Sequence, residues 1–261
     1  MNHNLVFDVG MHNGDDTALY VKSGYRVVAI EADPVQAAAA RRRFATEIAS
    51  GTVTVVEAAI GERPGEVAFW TSSNPEYGSF DRENAIKRGN RAREVRVACR
   101  TMSDVLSEFG VPFYLKIDIE GADHFCLEAI DPQNKPEFVS FEKGRLEDLL
   151  LARSLGYTRF KLIAQEDFRQ LHYAPEREQD LYRLVRRIGS GAARRLGLIS
   201  RTRLEPPRKE YAYGSSGPFG EETDGPWRTM EEVAFTWLAF DAGYTGSANP
   251  AIDDWFDVHC S

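Results

Sequence analysis

The strongest constraint on the fold of this chain is a rhythm. Short apolar, largely β-branched runs at 5–8, 25–31, 52–60, 113–119, 137–142 and 157–164 alternate with stretches of helical character at 16–23, 35–50, 122–130 and 146–155. Pro34 opens one helical stretch, and Gly24, Gly51 and Gly156 stand just past the ends of three, the usual punctuation of helices. Strands that are apolar throughout must be covered on both faces, which predicts parallel βαβ units with right-handed crossovers. The expected fold is α/β and doubly wound, and such sheets hold ligands at the carboxyl ends of their strands. Two stretches break the rhythm. Segments 65–71 and 94–100 read as extra strands around a polar loop at 72–93. Residues 165–254 insert a helical stretch, a Pro/Gly/Ser-rich loop at 205–226 and a helix at 230–242 before a last strand at 255–260. Because that strand is expected to rejoin the sheet, residues 1–261 are read as one domain and 165–254 as a cap on it.

Composition removes several classes. No window approaches the ~18 consecutive apolar residues of a membrane span, and the first residues lack a basic and apolar leader pattern. With 32 basic and 40 acidic side chains the net charge is −8, which disfavours nucleic acid as a partner. The three cysteines are widely spaced without a Cys-x-x-Cys pair. They read as free thiols of a cytoplasmic protein, with neither a zinc site nor a disulfide frame.

The turn after the first strand runs Asp8-Val9-Gly10-Met11-His12-Asn13-Gly14. Gly10 and Gly14 permit left-handed backbone and close approach to a ligand. The spacing is neither Gly-x-Gly-x-x-Gly nor a P-loop, which disfavours a dinucleotide pyrophosphate. Asp8, Asp15 and Asp16 would repel a phosphate and attract a cation; the plainer alternative is an ordinary tight turn. Glu31 ends the second strand, where an acid can accept both hydroxyls of a ribose. The following Ala32, and Ala58, Ala59 and Ile60 after the third strand, are small enough for a flat base to enter. A nucleoside with a positive charge beside the first turn describes S-adenosylmethionine. The expected donor contacts are Asp8, Gly10, Asn13, Gly14, Asp16, Glu31, Ala32, Ala59, Ile60 and Asp118.

Five ordered strings at 7–17 (FDVGMHNGDDT), 29–34 (AIEADP), 59–61 (AIG), 115–123 (LKIDIEGAD) and 140–142 (SFE) resemble the FkbM family of S-adenosylmethionine-dependent methyltransferases. The likeness covers about residues 5–142 and extends to 214–220 and 255–259. It implies a class I, Rossmann-like methyltransferase fold of seven strands with the last antiparallel. It also implies O-methylation of a sugar or another small natural-product hydroxyl.

Lys116, Asp118 and Glu120 alternate and so share one face of the fourth strand, which is expected to end at Gly121. With Glu142 at the end of the next strand, three carboxylates are expected to converge beside the methyl donor and to raise one another's pKa. Asp118 is expected on the sulfonium or substrate side, and Glu120 or Glu142 as general base or as Mg²⁺ ligand. A structural pair of Lys116 with Glu142 is the bland alternative to a catalytic lysine. Ser79, in the polar loop, is expected to line the acceptor site.

Residues 183–209 carry nine basic side chains and one acid, a segment of +8 that leaves −16 elsewhere. A solvated face is the plain reading. The functional readings are that Arg186 and Arg187 grip an anionic acceptor such as a nucleotide sugar, or that the segment touches an anionic membrane surface weakly. The competing functions are an NAD(P)-dependent oxidoreductase and a non-catalytic protein that binds S-adenosylmethionine. Oligomeric state has no signature in the sequence.

Overall fold

The computed structural model describes residues 2–165, 167–172, 215–241 and 256–261. Eight strands form the main sheet: β1 (Asn2–Val9), β2 (Arg26–Glu31), β3 (Val53–Glu57), β7 (Pro112–Ile117), β8 (Phe138–Glu142), β9 (Phe160–Ala164), β10 (Gln170–Leu171) and β11 (Phe256–Cys260). Their order is β10-β9-β11-β8-β7-β1-β2-β3. The pairs β1–β2, β2–β3, β1–β7 and β7–β8 are parallel. The last strand inserts antiparallel between β8 and β9. The doubly wound, Rossmann-like architecture is therefore present, with eight strands in place of seven because β10 folds back as a two-residue edge.

Strand β1 shows why the apolar runs are continuous. Leu5, Phe7 and Val9 enter one core, whose helical side is Met102, Leu127, Leu149 and Trp237. The intervening Val6 enters a second core with Tyr20 and Ala40. Alternate side chains thus meet helices on opposite faces. Among the described residues the α-helices are α1 (Asp15–Lys22), α2 (Pro34–Arg43), α3 (Ala45–Ala49), α4 (Arg82–Ala85), α5 (Met102–Phe109), α6 (Asp123–Glu128), α7 (Leu146–Ser154) and α8 (Met230–Asp241).

Three expectations need correction. The helix at 35–50 is two helices, because Phe44 leaves helical geometry with its ring buried. The strand at 52–60 divides at Ala58, and β4 (Ala59–Ile60) joins a second sheet, order β4-β6-β5, with β5 (Gly65–Ser72) and β6 (Ala92–Arg100). The fourth strand of the rhythm ends at Ile117 rather than 119, so Glu120 lies in a turn. Helix α5 has no counterpart in the rhythm of the sequence. Cys99, Cys126 and Cys260 are free and buried. Among the described residues no helix is long and apolar enough to cross a membrane. The segment 183–209, with Arg186 and Arg187, lies outside the described residues.

Candidate active site

β1 lies between β7 and β2, so the chain leaves β1 towards one edge through β2 and β3 and later builds the other side through β7 and β8. Ligands of open α/β sheets bind in the crevice at such a reversal. Its floor is the turn after β1. Gly10 has φ +79°, and a Cβ there would stand 1.8 Å from the backbone oxygen of Asp118. Glycine is what lets the β1 and β7 loops touch. The Gly10 and Met11 amides donate to Ile30 O, and the His12 amide donates to Glu31 Oε2 at 2.8 Å. Arg43 of α2 donates to Asn13 O at 2.6 Å and pairs with Asp15 at 2.8 Å. The turn is thus fixed from three sides. Above it opens a cleft lined by residues of the β1, β2 and β7 loops.

Lys116 governs the charge of the inner corner. Its Nζ donates to Gly10 O at 2.9 Å and lies 3.0 Å from Asp8, 3.6 Å from Asp118 and 3.7 Å from Asp16. Burial opposes its charge, but Asp8, Asp118 and Asp16 outweigh burial and hold its pKa well above the ordinary lysine value. Asp8 is fully buried, receives the Thr17 hydroxyl at 2.6 Å and does not line the cleft; it anchors Lys116. Asp16 lines the cleft, and its carboxyl accepts the amides of Ser216 and Gly217. Burial, partly offset by Lys116, lifts its pKa to about 6.

Glu31 stands at the middle of the cleft. Its oxygens accept the amides of His12 and Asp33, each at 2.8 Å, which aims the carboxyl and leaves one lone pair on each oxygen for a diol. Burial raises its pKa to about 7 despite those bonds. Beyond it Ala32, Ala58, Ala59 and Ile60 form an apolar slot, closed by Phe69 and Phe80 of the second sheet and its loop.

The same loop supports Glu120. Glu120 lines the cleft with φ +50°, and its carbonyl accepts Ser79 Oγ at 3.3 Å and Asn84 Nδ2 at 3.5 Å. Burial first, then Asp118, pushes its pKa up to about 8. Ser79 is 2% exposed and does not line the cleft; it is a support of Glu120. Glu142 also does not line it, but burial, then Asp118 and Glu120, raise its pKa strongly. Among the described residues no three His, Cys, Asp or Glu side chains are grouped to hold a metal ion, and the Asp118, Glu120 and Glu142 set does not form a Mg²⁺ cage.

Of the expected donor contacts, Gly10, Asn13, Asp16, Glu31, Ala32, Ala59, Ile60 and Asp118 line the cleft, while Asp8 and Gly14 do not. Lys116 does line it, and its partners are aspartates rather than Glu142. Two acids of the neighbourhood went unread. Asp123 accepts the amides of Ile119 and Glu142 at 3.1 Å each, fixing the β7 loop to β8. Asp257 of β11 pairs in register with Glu142, and burial with Asp118 raises its pKa to about 8. An acid inside the apolar run of 256–260 was the signal for it.

The Methyltransferase FkbM domain family matches residues 8–159. Among solved structures, a precorrin-6y C5,15-methyltransferase from Geobacter metallireducens GS-15 matches at 14% identity, over 62% of this chain and 67% of its own, with a TM-score of 0.38. No curated protein matches significantly.

Proposed function

The chain belongs to the FkbM methyltransferase family, and from that premise we propose that it moves the methyl group of S-adenosylmethionine to a hydroxyl of a small polar acceptor such as a sugar. One observation carries the reading. A single cleft runs from an apolar slot, past the twice-anchored carboxyl of Glu31, to an acid-lined corner at Asp16 and Asp118. The sequence of surfaces suits a purine, a ribose diol and a sulfonium in that order, so the residues present fit the group.

When bound, S-adenosylmethionine supplies an electrophilic methyl carbon. The chain's own task is then in-line positioning and proton removal. Glu31 binds the ribose hydroxyls, and Asp16 and Asp118 balance the positive charge. The Glu120 carboxylate takes the acceptor's hydroxyl proton, and Ser79 and Asn84 keep its backbone in place. With a pKa of about 8, Glu120 is mostly protonated at pH 7, so the rate should climb as pH rises through 8. A rate flat between pH 6 and 9 removes this role. The lining holds Asp16, Asp33, Glu76 and Asp118 against Lys116, which supports an uncharged or cationic acceptor over a phosphorylated one. We read the chain as one cytoplasmic domain with the segment at 165–254 as its cap.

The direct test is calorimetry with S-adenosylhomocysteine, followed by mass spectrometry of hydroxylated acceptors for a gain of one methylene. Glu31→Gln should weaken binding roughly 10-fold, the scale of one hydrogen bond to a charged group. Glu120→Gln should bind normally and lose transfer about 100-fold or more. An intact protein that binds no S-adenosylhomocysteine defeats the reading.

A further inference from the structure

The inner corner of the cleft is closed by residues that the family match at 8–159 does not reach. Ser215 lines the cleft, and Ser215 and Ser216 are 5% and 3% exposed. The Ser216 and Gly217 amides donate to the two oxygens of Asp16 at 3.0 and 3.3 Å. The Gly217 amide also donates to Ser215 Oγ at 3.2 Å. This latch joins positions 200 residues apart in sequence. With its oxygen already accepting, the Ser215 hydroxyl keeps its proton to donate.

The chemistry of the corner gives that proton a use. The amino-acid end of S-adenosylmethionine carries an ammonium and a carboxylate. Asp16 and Asp118 favour the ammonium and the sulfonium and repel the carboxylate. Lys116, the one lysine or arginine that lines the cleft among the described residues, already donates to Gly10 O and pairs with Asp8. A carboxylate held here therefore needs a neutral donor whose oxygen faces away from it. We propose that Ser215, held in place by the Asp16 latch, donates a hydrogen bond to the carboxylate at the amino-acid end of the methyl donor. The proposal rests on the S-adenosylmethionine reading above and adds a donor-binding residue from outside the matched domain.

Two probes separate the possibilities in calorimetric titrations of the full chain. S-Adenosylhomocysteine has the amino-acid tail, and 5′-methylthioadenosine has the same nucleoside without it. Ser215→Ala is expected to weaken the first about 10-fold or more, as for a hydrogen bond to a charged group, and to leave the second within about twofold. Unchanged affinity for S-adenosylhomocysteine overturns the proposal. So does an equal loss for both probes, which marks Ser215 as a structural support of the cleft. Wild-type protein that binds neither probe overturns the donor reading itself, and this proposal with it.

Discussion

Gly10 and Gly24 both have left-handed backbones, and their surroundings separate what each does. A Cβ at Gly24 would meet nothing within 4 Å, whereas one at Gly10 would collide with the Asp118 carbonyl at 1.8 Å. Gly24→Ala should cost only the conformational penalty, about 1–2 kcal/mol. Gly10→Ala adds an overpacking cost of about 1–3 kcal/mol and parts the β1 and β7 loops that make the cleft floor. Urea titration of the two variants checks the difference; equal losses would show that the loops can separate freely. Ser79 acts through a single donated hydrogen bond. Its hydroxyl reaches the carbonyl of Glu120, a residue whose positive φ is itself unfavourable, so its effect on chemistry runs through Glu120.

Among the elements, α5 is the one whose start can be tested most directly. Thr101 Oγ1 accepts the Asp104 amide at 3.1 Å and donates to the Asp104 carboxylate at 2.7 Å. The helix places Met102 and Val105 in the main core. Loss of this cap in Thr101→Ala should lower stability by about 1 kcal/mol, read as a shifted denaturant midpoint without a changed slope. The Thr-x-x-Asp start and the Gly110 and Pro112 just past its end all stand in the sequence, but the helix has only eight residues and lies between two strands, where the strand rhythm hides it. The small sheet was half legible. Its two long strands follow from alternation, whereas the departure of Ala59 and Ile60 from the main sheet depends on β6 lying beside them.

For the whole molecule, the concentration of buried acids sets the response to pH. Burial raises Glu31 and Asp123 to about 7 and Glu120 and Asp257 to about 8. The folded chain therefore holds protons that the unfolded chain, with carboxyls near about 4, releases. Stability from these groups is complete at low pH and is lost as pH rises towards 8. His259 acts oppositely, since burial lowers it to about 3, and its contribution is lost as pH falls below its ordinary value of 6.5. Above pH 6.5 the acids act alone, so the melting temperature should fall between pH 6.5 and 8.5. Asp257→Asn should make that fall shallower. A melting temperature that rises over the same interval would show that the cluster is neutralised in the fold by something other than protons.

The alternation of strands and helices, the glycine turn and the acid at the end of β2 are all written in short stretches of chain. Each depends on a neighbour only a few residues away: a helical or strand period, a backbone angle, the last position of a strand. Which acids face the cleft follows instead from contacts between distant segments. Lys116 meets Asp8 because β7 pairs with β1, and Asp16 is held by Ser216 because the chain returns 200 residues later. A carboxyl that looks free in a local string is free or satisfied according to what distant segments bring to it, and strand order, which no local pattern encodes, decides what they bring.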